Sequence, residues 1–373
     1  MQLPHMIQLA VSAILVALLP LGWVWVAKDS NKYRKLVWVT LFFTFDLIVF
    51  GAFTRLTDSG LGCPDWPGCY SHANPLQAIE KIDAAAALMP SGPVTRVKAW
   101  IEMIHRYLAM AIGILIMVLM ACAWRFRRSG QTSQSSQSPR LPTLAFLLVC
   151  VQGAFGAWTV TLKLQPLIVT MHLLLAMVLF AMLATLAARQ PRQTGMTPTG
   201  IKPVPAHALA PHLRLPALRR WIYLGAASLL LQLALGAWVS TNYATLACRD
   251  FPMCNGSWWP QMDFAHGFTL WRELGKTGAG DFLPYAALTA IHWAHRVFAV
   301  LLALVLATLA WRARFACPDL ARALAGVLFL QLATGIATVY FAWPLALAVL
   351  HNAGAALLVL VLSMLHYRAT AKD

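Results

Sequence analysis

Two His-Arg dipeptides, His105-Arg106 and His295-Arg296, and two further histidines, His172 and His351, lie inside long apolar stretches of the chain. Glu102 stands three residues before His105 and His292 three before His295, so each shares a helical face with the histidine that follows it. Ionisable groups in membrane-like surroundings are costly and are functional candidates by default. Neutral imidazole is the commonest metal ligand. Two histidines facing each other from different helices of a four-helix bundle suit axial ligation of a haem iron. One histidine on an apolar face is usually structural. Four at matched positions are not explained that way, and His105, His172, His295 and His351 are read as haem ligands. His292 shares the face of His295 and could take its place. Glu102 adjoins only one of the sites, where it could move protons or stabilise developing positive charge. The alternative is a structural carboxylate, paired with Arg106 or hydrogen-bonded to a tyrosine such as Tyr107.

The elements that must position these residues follow from composition. Of 373 residues, 60% are hydrophobic and 11% charged, against about 45–50% and about 25% in a soluble domain. Mean hydropathy is +0.65. A soluble enzyme, a disordered chain and a small disulfide scaffold are excluded. Stretches long enough to cross a hydrocarbon core of about 30 Å occur at 8–27, 36–54, 100–124, 142–162, 166–188, 220–240, 285–311, 321–342 and 345–366. The expectation is an all-α polytopic membrane protein with nine spans. The first stretch lacks a basic leader and a small-residue cleavage site, and reads as a retained span. The four matched histidines each fall five to ten residues past the outer start of a span, at one shared depth.

The net charge of +16 and pI near 10.0 could indicate nucleic acid. The distribution of the charges argues for topology instead. Of the 29 Lys and Arg, 19 lie in or beside 28–35, 125–141, 189–219, 312–322 and 367–373, all on one side, with three acids. The opposite loops carry eight basic and eight acidic residues. The basic side is therefore read as cytoplasmic, with the N-terminus outside and the C-terminus inside. Nucleic acid is not expected as a partner; membrane lipid is.

The chain repeats itself. GAFTRLTDSGLGCPDWPGC (51–69) aligns without gaps on GAWVSTNYATLACRDFPMC (236–254) at an offset of 185, keeping Gly51/Gly236, Cys63/Cys248, Asp65/Asp250, Pro67/Pro252 and Cys69/Cys254. His105-Arg106 matches His295-Arg296 at an offset of 190, and Gln152, Gly156, Thr159 and His172 match Gln331, Gly335, Thr338 and His351 at 179. Each repeat holds four spans. An even number makes the repeats parallel, related by an axis along the membrane normal. The expected organisation is an extra N-terminal helix in 1–35, a four-helix repeat in 36–188, a Pro-, Gly- and Thr-rich linker in 189–219, a second repeat in 220–366 and a tail in 367–373. The polar run 129–139 reads as a shorter linker.

Cys63/Cys69 and Cys248/Cys254 have five intervening residues each and lie in outer loops, where disulfides are permitted. Two loop disulfides are favoured over zinc, since no further His or Cys cluster stands nearby. Cys317 reads as a free thiol. Arg55, Arg106 and Arg296 lie near the outer interface, where haem propionates would emerge; ordinary interfacial snorkelling is the alternative. Asp46 lies mid-span with no evident partner.

The loop GAFTRLTDSGLGCPDWPGC, the EMIHR that follows on the next span, the His172 span and their second-half counterparts together resemble the heme A synthase family, over about 36–366. The resemblance implies an oxidoreductase of a bacterial inner membrane that converts the C8 methyl group of haem O to a formyl group, making haem A for cytochrome c oxidase. Water is the implied source of the oxygen. It implies that His105 and His172 serve the substrate haem O, that His295 and His351 hold a haem b cofactor, and that Glu102 is essential. The paired loop cysteines resemble those of a bacterial subgroup. Contact with the haem O synthase and with oxidase assembly machinery is implied, and a homo-oligomer is left open. The family core has eight spans, so 8–27 is an added ninth. A non-catalytic di-haem b electron-transfer or haem-carrier protein is the alternative; it predicts two equivalent sites, without the Glu102/His292 difference.

Overall fold

The computed structural model of the chain describes residues 3–28, 31–90, 92–129, 138–190 and 215–370. Most of both predicted linkers, Asp29 and the tail residues 371–373 fall outside the described residues. The helices are α1 (Leu3–Val26), α2 (Lys32–Leu56), α3 (Ile79–Leu88), α4 (Arg96–Arg128), α5 (Arg140–Thr161), α6 (Pro166–Ala188), α7 (Leu215–Thr241), α8 (Phe264–Gly267), α9 (Tyr285–Ala313), α10 (Pro318–Tyr340) and α11 (Leu345–Thr370). Among the described residues, nine of them, all but α3 and α8, are long and apolar enough to cross a membrane. Each overlaps one predicted stretch. The chain is an all-helical, multi-pass membrane protein.

Local chemistry sets the helix ends. The Asn31 side chain accepts the Arg34 N–H at 2.8 Å to start α2, and the Thr95 hydroxyl accepts the Lys98 N–H at 3.1 Å to start α4. α6 and α10 open on Pro166 and Pro318, where a missing N–H costs nothing. α4 runs past its apolar stretch into Arg125, Arg127 and Arg128, cations that suit the negative end of the helix dipole.

The helices α2, α4, α5 and α6 form one closed ring of neighbours, and α7, α9, α10 and α11 a second. The rings meet through α6 on α11 and through two equivalent pairs, α2 on α11 and α7 on α6. At the end of the bundle away from the basic helix ends, Arg55 Nη2 donates to the Ser240 carbonyl at 2.6 Å, and the Tyr243 hydroxyl donates to Asp58 Oδ1 at 2.7 Å. Ser240 and Tyr243 are the counterparts of Arg55 and Asp58 in the 185-residue repeat. A residue meets its own counterpart only beside a two-fold axis. The axis therefore passes between these turns and between α6 and α11.

The main apolar core fills the basic-end halves of both rings, with Leu119, Leu183, Leu309, Leu324 and Leu365 at its centre. The histidines occupy the opposite halves. α1 lies outside both rings, against α4 and α2. Leu9 packs with Cys63 and Cys69, and Gln77 donates to Gln8 Oε1 at 3.2 Å. The added span thus buttresses the outer loop of the first half alone. Asp46 is exposed on α2.

The outer-loop cysteines are joined as Cys63–Cys69 and Cys248–Cys254, leaving Cys122, Cys150 and Cys317 free. Denatured without reductant, the protein should take up three maleimide labels by mass, and after reduction seven, the whole cysteine complement. Seven labels before reduction would show that neither bridge forms.

Candidate functional site

Each disulfide loop is closed by an aspartate that the repeat keeps. Asp65 accepts the Tyr70 and Ser71 N–H groups, both at 2.6 Å. Asp250 accepts those of Asn255 at 2.5 Å and Gly256 at 2.8 Å. The Gly256 and Asn255 N–H groups, helped by Arg296, hold the Asp250 carboxyl below the usual carboxylate range. With the cysteines bridged, and no cluster of three His, Cys, Asp or Glu suited to a metal ion among the described residues, zinc has no site in these loops.

The loops are fastened to the bundles by the arginines of the two His-Arg dipeptides. Arg106 Nη1 donates to the Asp65 carbonyl at 2.8 Å and the Gly68 carbonyl at 2.5 Å, and Nη2 donates to Glu102 Oε1 at 2.5 Å. Arg296 donates to the carbonyls of Asp250 at 2.8 Å, Met253 at 3.0 Å and Cys248 at 2.9 Å. Both guanidinium groups are thus committed to loop carbonyls, a third role beside propionate binding and snorkelling. Arg55 forms the contact between halves described above and lies 4.3 Å over the Tyr243 ring.

Glu102 is the only buried carboxylate among the described residues. Besides pairing with Arg106, its Oε2 accepts the Cys63 N–H at 2.8 Å. His292 stands at the same place in the second half, with the Cys248 N–H 3.4 Å from its Nδ1 and the Arg296 Nε–H 3.2 Å from its Nε2, of which a neutral imidazole accepts only one. Position 102/292 is one hydrogen-bonding post in both halves, a carboxylate paired with Arg106 in one and an imidazole beside Arg296 in the other. His292 is therefore engaged with the loop, while His295 lies against Gly236 across the ring. Tyr107 does not reach Glu102; its hydroxyl donates to the Ala73 carbonyl at 2.6 Å.

The four matched histidines lie in two pairs, each within electrostatic reach across a ring: His105 with His172, and His295 with His351. From the helix starts they sit roughly 9–15 Å deep at about 1.5 Å per residue. Each imidazole lies against a glycine of the neighbouring helix. A Cβ at Gly51 would come 3.0 Å from His105 Nε2, one at Gly156 3.4 Å from His172, one at Gly236 3.0 Å from His295 and one at Gly335 3.0 Å from His351. The repeat alignment carried these glycines, but their facing partners lie on other helices and were not legible.

The chain matches the family model described as cytochrome oxidase assembly protein (COX15-CtaA) over residues 34–363. It is 38% identical to the heme A synthase of Shewanella oneidensis over 339 residues, 89% of this chain and 96% of that protein. It is 28% identical to that of Caulobacter vibrioides, over 87% of this chain and 92% of that protein. A third relative, the heme A synthase of Chelativorans sp., is 28% identical over 92% of this chain and 93% of that protein. The chain belongs to the COX15-CtaA family.

In this member of the COX15-CtaA family the residues present suit haem iron. The donors are imidazoles in apolar bundles, the donor set of bis-histidine haems. Each ring has a side-chain-free helix surface beside it, and His172 Nδ1 is buried with no hydrogen-bond partner among the described residues. The glycines can be tested without any ligand. Gly51→Ala, Gly236→Ala and Gly335→Ala should each lower stability by about 1–3 kcal/mol through overpacking, read as a lower melting temperature in detergent. Gly113→Ala, where a Cβ meets nothing within 4 Å, should be neutral or stabilising by up to about 1 kcal/mol. Equal effects at all four positions would refute the facing arrangement.

Proposed function

We propose that the chain is a heme A synthase, an oxidoreductase that turns the C8 methyl group of haem O into a formyl group. The observation that carries this reading is the post at 102/292. Two histidine pairs share one architecture, yet a buried carboxyl group stands beside only one of them. Two equivalent electron-transfer haems give no reason for that difference, so a di-haem b carrier is the weaker reading. The relatives named above carry the same activity by name.

In this reading the first ring takes haem O on His105 and His172, and the second holds haem b on His295 and His351. Haem b supplies a one-electron redox centre when bound. The methyl carbon would be oxidised in two stages through an alcohol, each stage removing two electrons and two protons, with water supplying the oxygen, the protons passing to water and the electrons to an external acceptor. Glu102, three residues from His105 on one helical face, accepts a proton or stabilises positive charge at the reacting carbon. Arg106 and the Cys63 N–H hold its carboxylate in place. Arg55 is held by Asp58 at 3.1 Å and the Ser240 carbonyl at 2.6 Å, and a propionate there would compete with these contacts.

Orientation follows the charges: the disulfide loops face the outside of a bacterial inner membrane and the basic ends the cytoplasm. The enzyme that makes haem O and the oxidase being assembled are the fitting partners.

Haems extracted from the purified protein and separated by chromatography should include haem b together with haem O, haem A or the hydroxylated intermediate. Glu102→Ala would strand Arg106, and unpaired buried charges cost about 3–5 kcal/mol, so two milder variants are decisive. Glu102→Gln keeps an acceptor for the Cys63 N–H, and Glu102→His copies the second half. Both should retain haem b and lose haem A formation by at least about 100-fold, the scale of a general acid–base contribution. Wild-type haem A yield in either would remove Glu102 from the chemistry.

A further inference from the structure

The two histidine pairs differ in what holds their rings. In the second half, the buried Thr334 donates its hydroxyl proton to the Leu330 carbonyl at 2.8 Å. Its oxygen, 3.1 Å from His351 Nδ1, is left to accept the ring N–H. That bond fixes the proton on Nδ1 and leaves Nε2 with the lone pair that an iron needs. Nε2 itself faces the Gln331 amide at 3.3 Å, a contact that an iron ligand would replace. The amide nitrogen of Gln232 lies 3.0 Å from His295 Nδ1 and 3.4 Å from its Nε2 and also donates to the His295 carbonyl at 3.2 Å, a hold on the ring's orientation rather than on its tautomer. Both ligand rings of the second half therefore have a polar partner.

The first half has apolar residues at the same places. Phe155 is the counterpart of Thr334 and Leu47 that of Gln232, by the offsets of 179 and 185 that align the helices. His172 Nδ1 is buried with no hydrogen-bond partner among the described residues, and Gln152, the counterpart of Gln331, donates to the His172 carbonyl at 2.9 Å instead. His105 has an aromatic neighbour, Phe50, stacked at 6.3 Å and 16°; the matching residue is Leu235.

We infer that Thr334 and Gln232 are positioning residues that make the second half the site that retains its haem, while Phe155 and Leu47 leave the first half able to release its haem each turnover. This rests on the assignment of haem O to the first ring and haem b to the second. A ligating histidine held by a hydrogen bond at its other nitrogen is fixed in tautomer and orientation and is more basic, and loss of such a partner typically weakens metal binding about 10–100-fold. A resident cofactor needs that hold. A substrate that must leave as product is better served without it.

The test uses the full-length purified protein in detergent and follows transfer of haem b to excess apomyoglobin, with the haem's midpoint potential as a second reading. Thr334→Val and Gln232→Leu, near-isosteric changes, should each speed haem b loss about 10–100-fold. Thr334→Val should also raise the potential, since an imidazole that has lost its N–H acceptor is less basic and favours the ferrous state. Thr334→Ser keeps the hydroxyl and should restore slow release. Leu47→Gln should slow release of haem from the first ring. Wild-type release rates and potential in both Thr334→Val and Gln232→Leu would overturn the inference while leaving the assignment of the rings intact. The assignment fails separately if His295→Ala/His351→Ala keeps haem b and His105→Ala/His172→Ala loses it, and the inference falls with it.

Discussion

A guanidinium at the edge of an apolar bundle must find acceptors, and Arg106 and Arg296 find them in the carbonyls of the disulfide loops. The remaining geometry depends on that constraint. A cation stranded in low dielectric is costly, so the loop folds back until its carbonyls reach the arginine, and the helix cannot slide along its axis without losing them. The preceding residue, about 100° round the helix, then points into the ring at a fixed depth. That residue is His105 in one half and His295 in the other. The His-Arg dipeptide is thus one device: the arginine sets the depth and rotation of the histidine.

The same device explains why position 102/292 matters. Four residues before each arginine, it lies on the arginine's face and completes the post to which the loop N–H of Cys63 or Cys248 is tied. A carboxylate there neutralises Arg106. A neutral imidazole leaves Arg296 positive. The two copies of one scaffold differ at the post, where the arginine meets a carboxylate through Nη2 in the first half and an imidazole through Nε in the second. The layer around the histidines diverged in parallel, polar at Gln232 and Thr334 and apolar at Leu47 and Phe155.

The spans, the repeat and the four histidines were legible because helix period, hydropathy and internal alignment are local or self-referential signals. The cysteine pairs were legible because six-residue separation limits their partners. What stood opposite each side chain was not. Arg106 pairs across 38 to 41 residues with the loop, and Gly335 meets a histidine on the next helix. Spacing gives the face of a helix and says nothing of the neighbour on that face. The arginines therefore read as interfacial, when each also holds the loop, and the pairing of Glu102 with Arg106, one of the alternatives the sequence offered, is present together with a bond from the Cys63 N–H. The alignment contained the further difference between the halves, Leu47 against Gln232 and Phe155 against Thr334, but its meaning needed the distances to the imidazoles.

The two-fold axis adds a constraint that the fused chain escapes. In a symmetric homodimer, a residue on the axis meets an identical copy of itself, so Arg55 would face Arg55 and Asp58 would face Asp58, and like charges would repel across the rim. Within one chain the counterparts are free to differ. Here Arg55 meets Ser240, and Asp58 accepts the hydroxyl of Tyr243, whose ring also stacks under Arg55. Complementary contacts at the axis hold the two rings in one fixed relation, with α6 and α11 packed between them. A fixed relation keeps the two unlike histidine pairs at one separation and orientation. It is available only because the halves are covalently one molecule and have diverged where they touch.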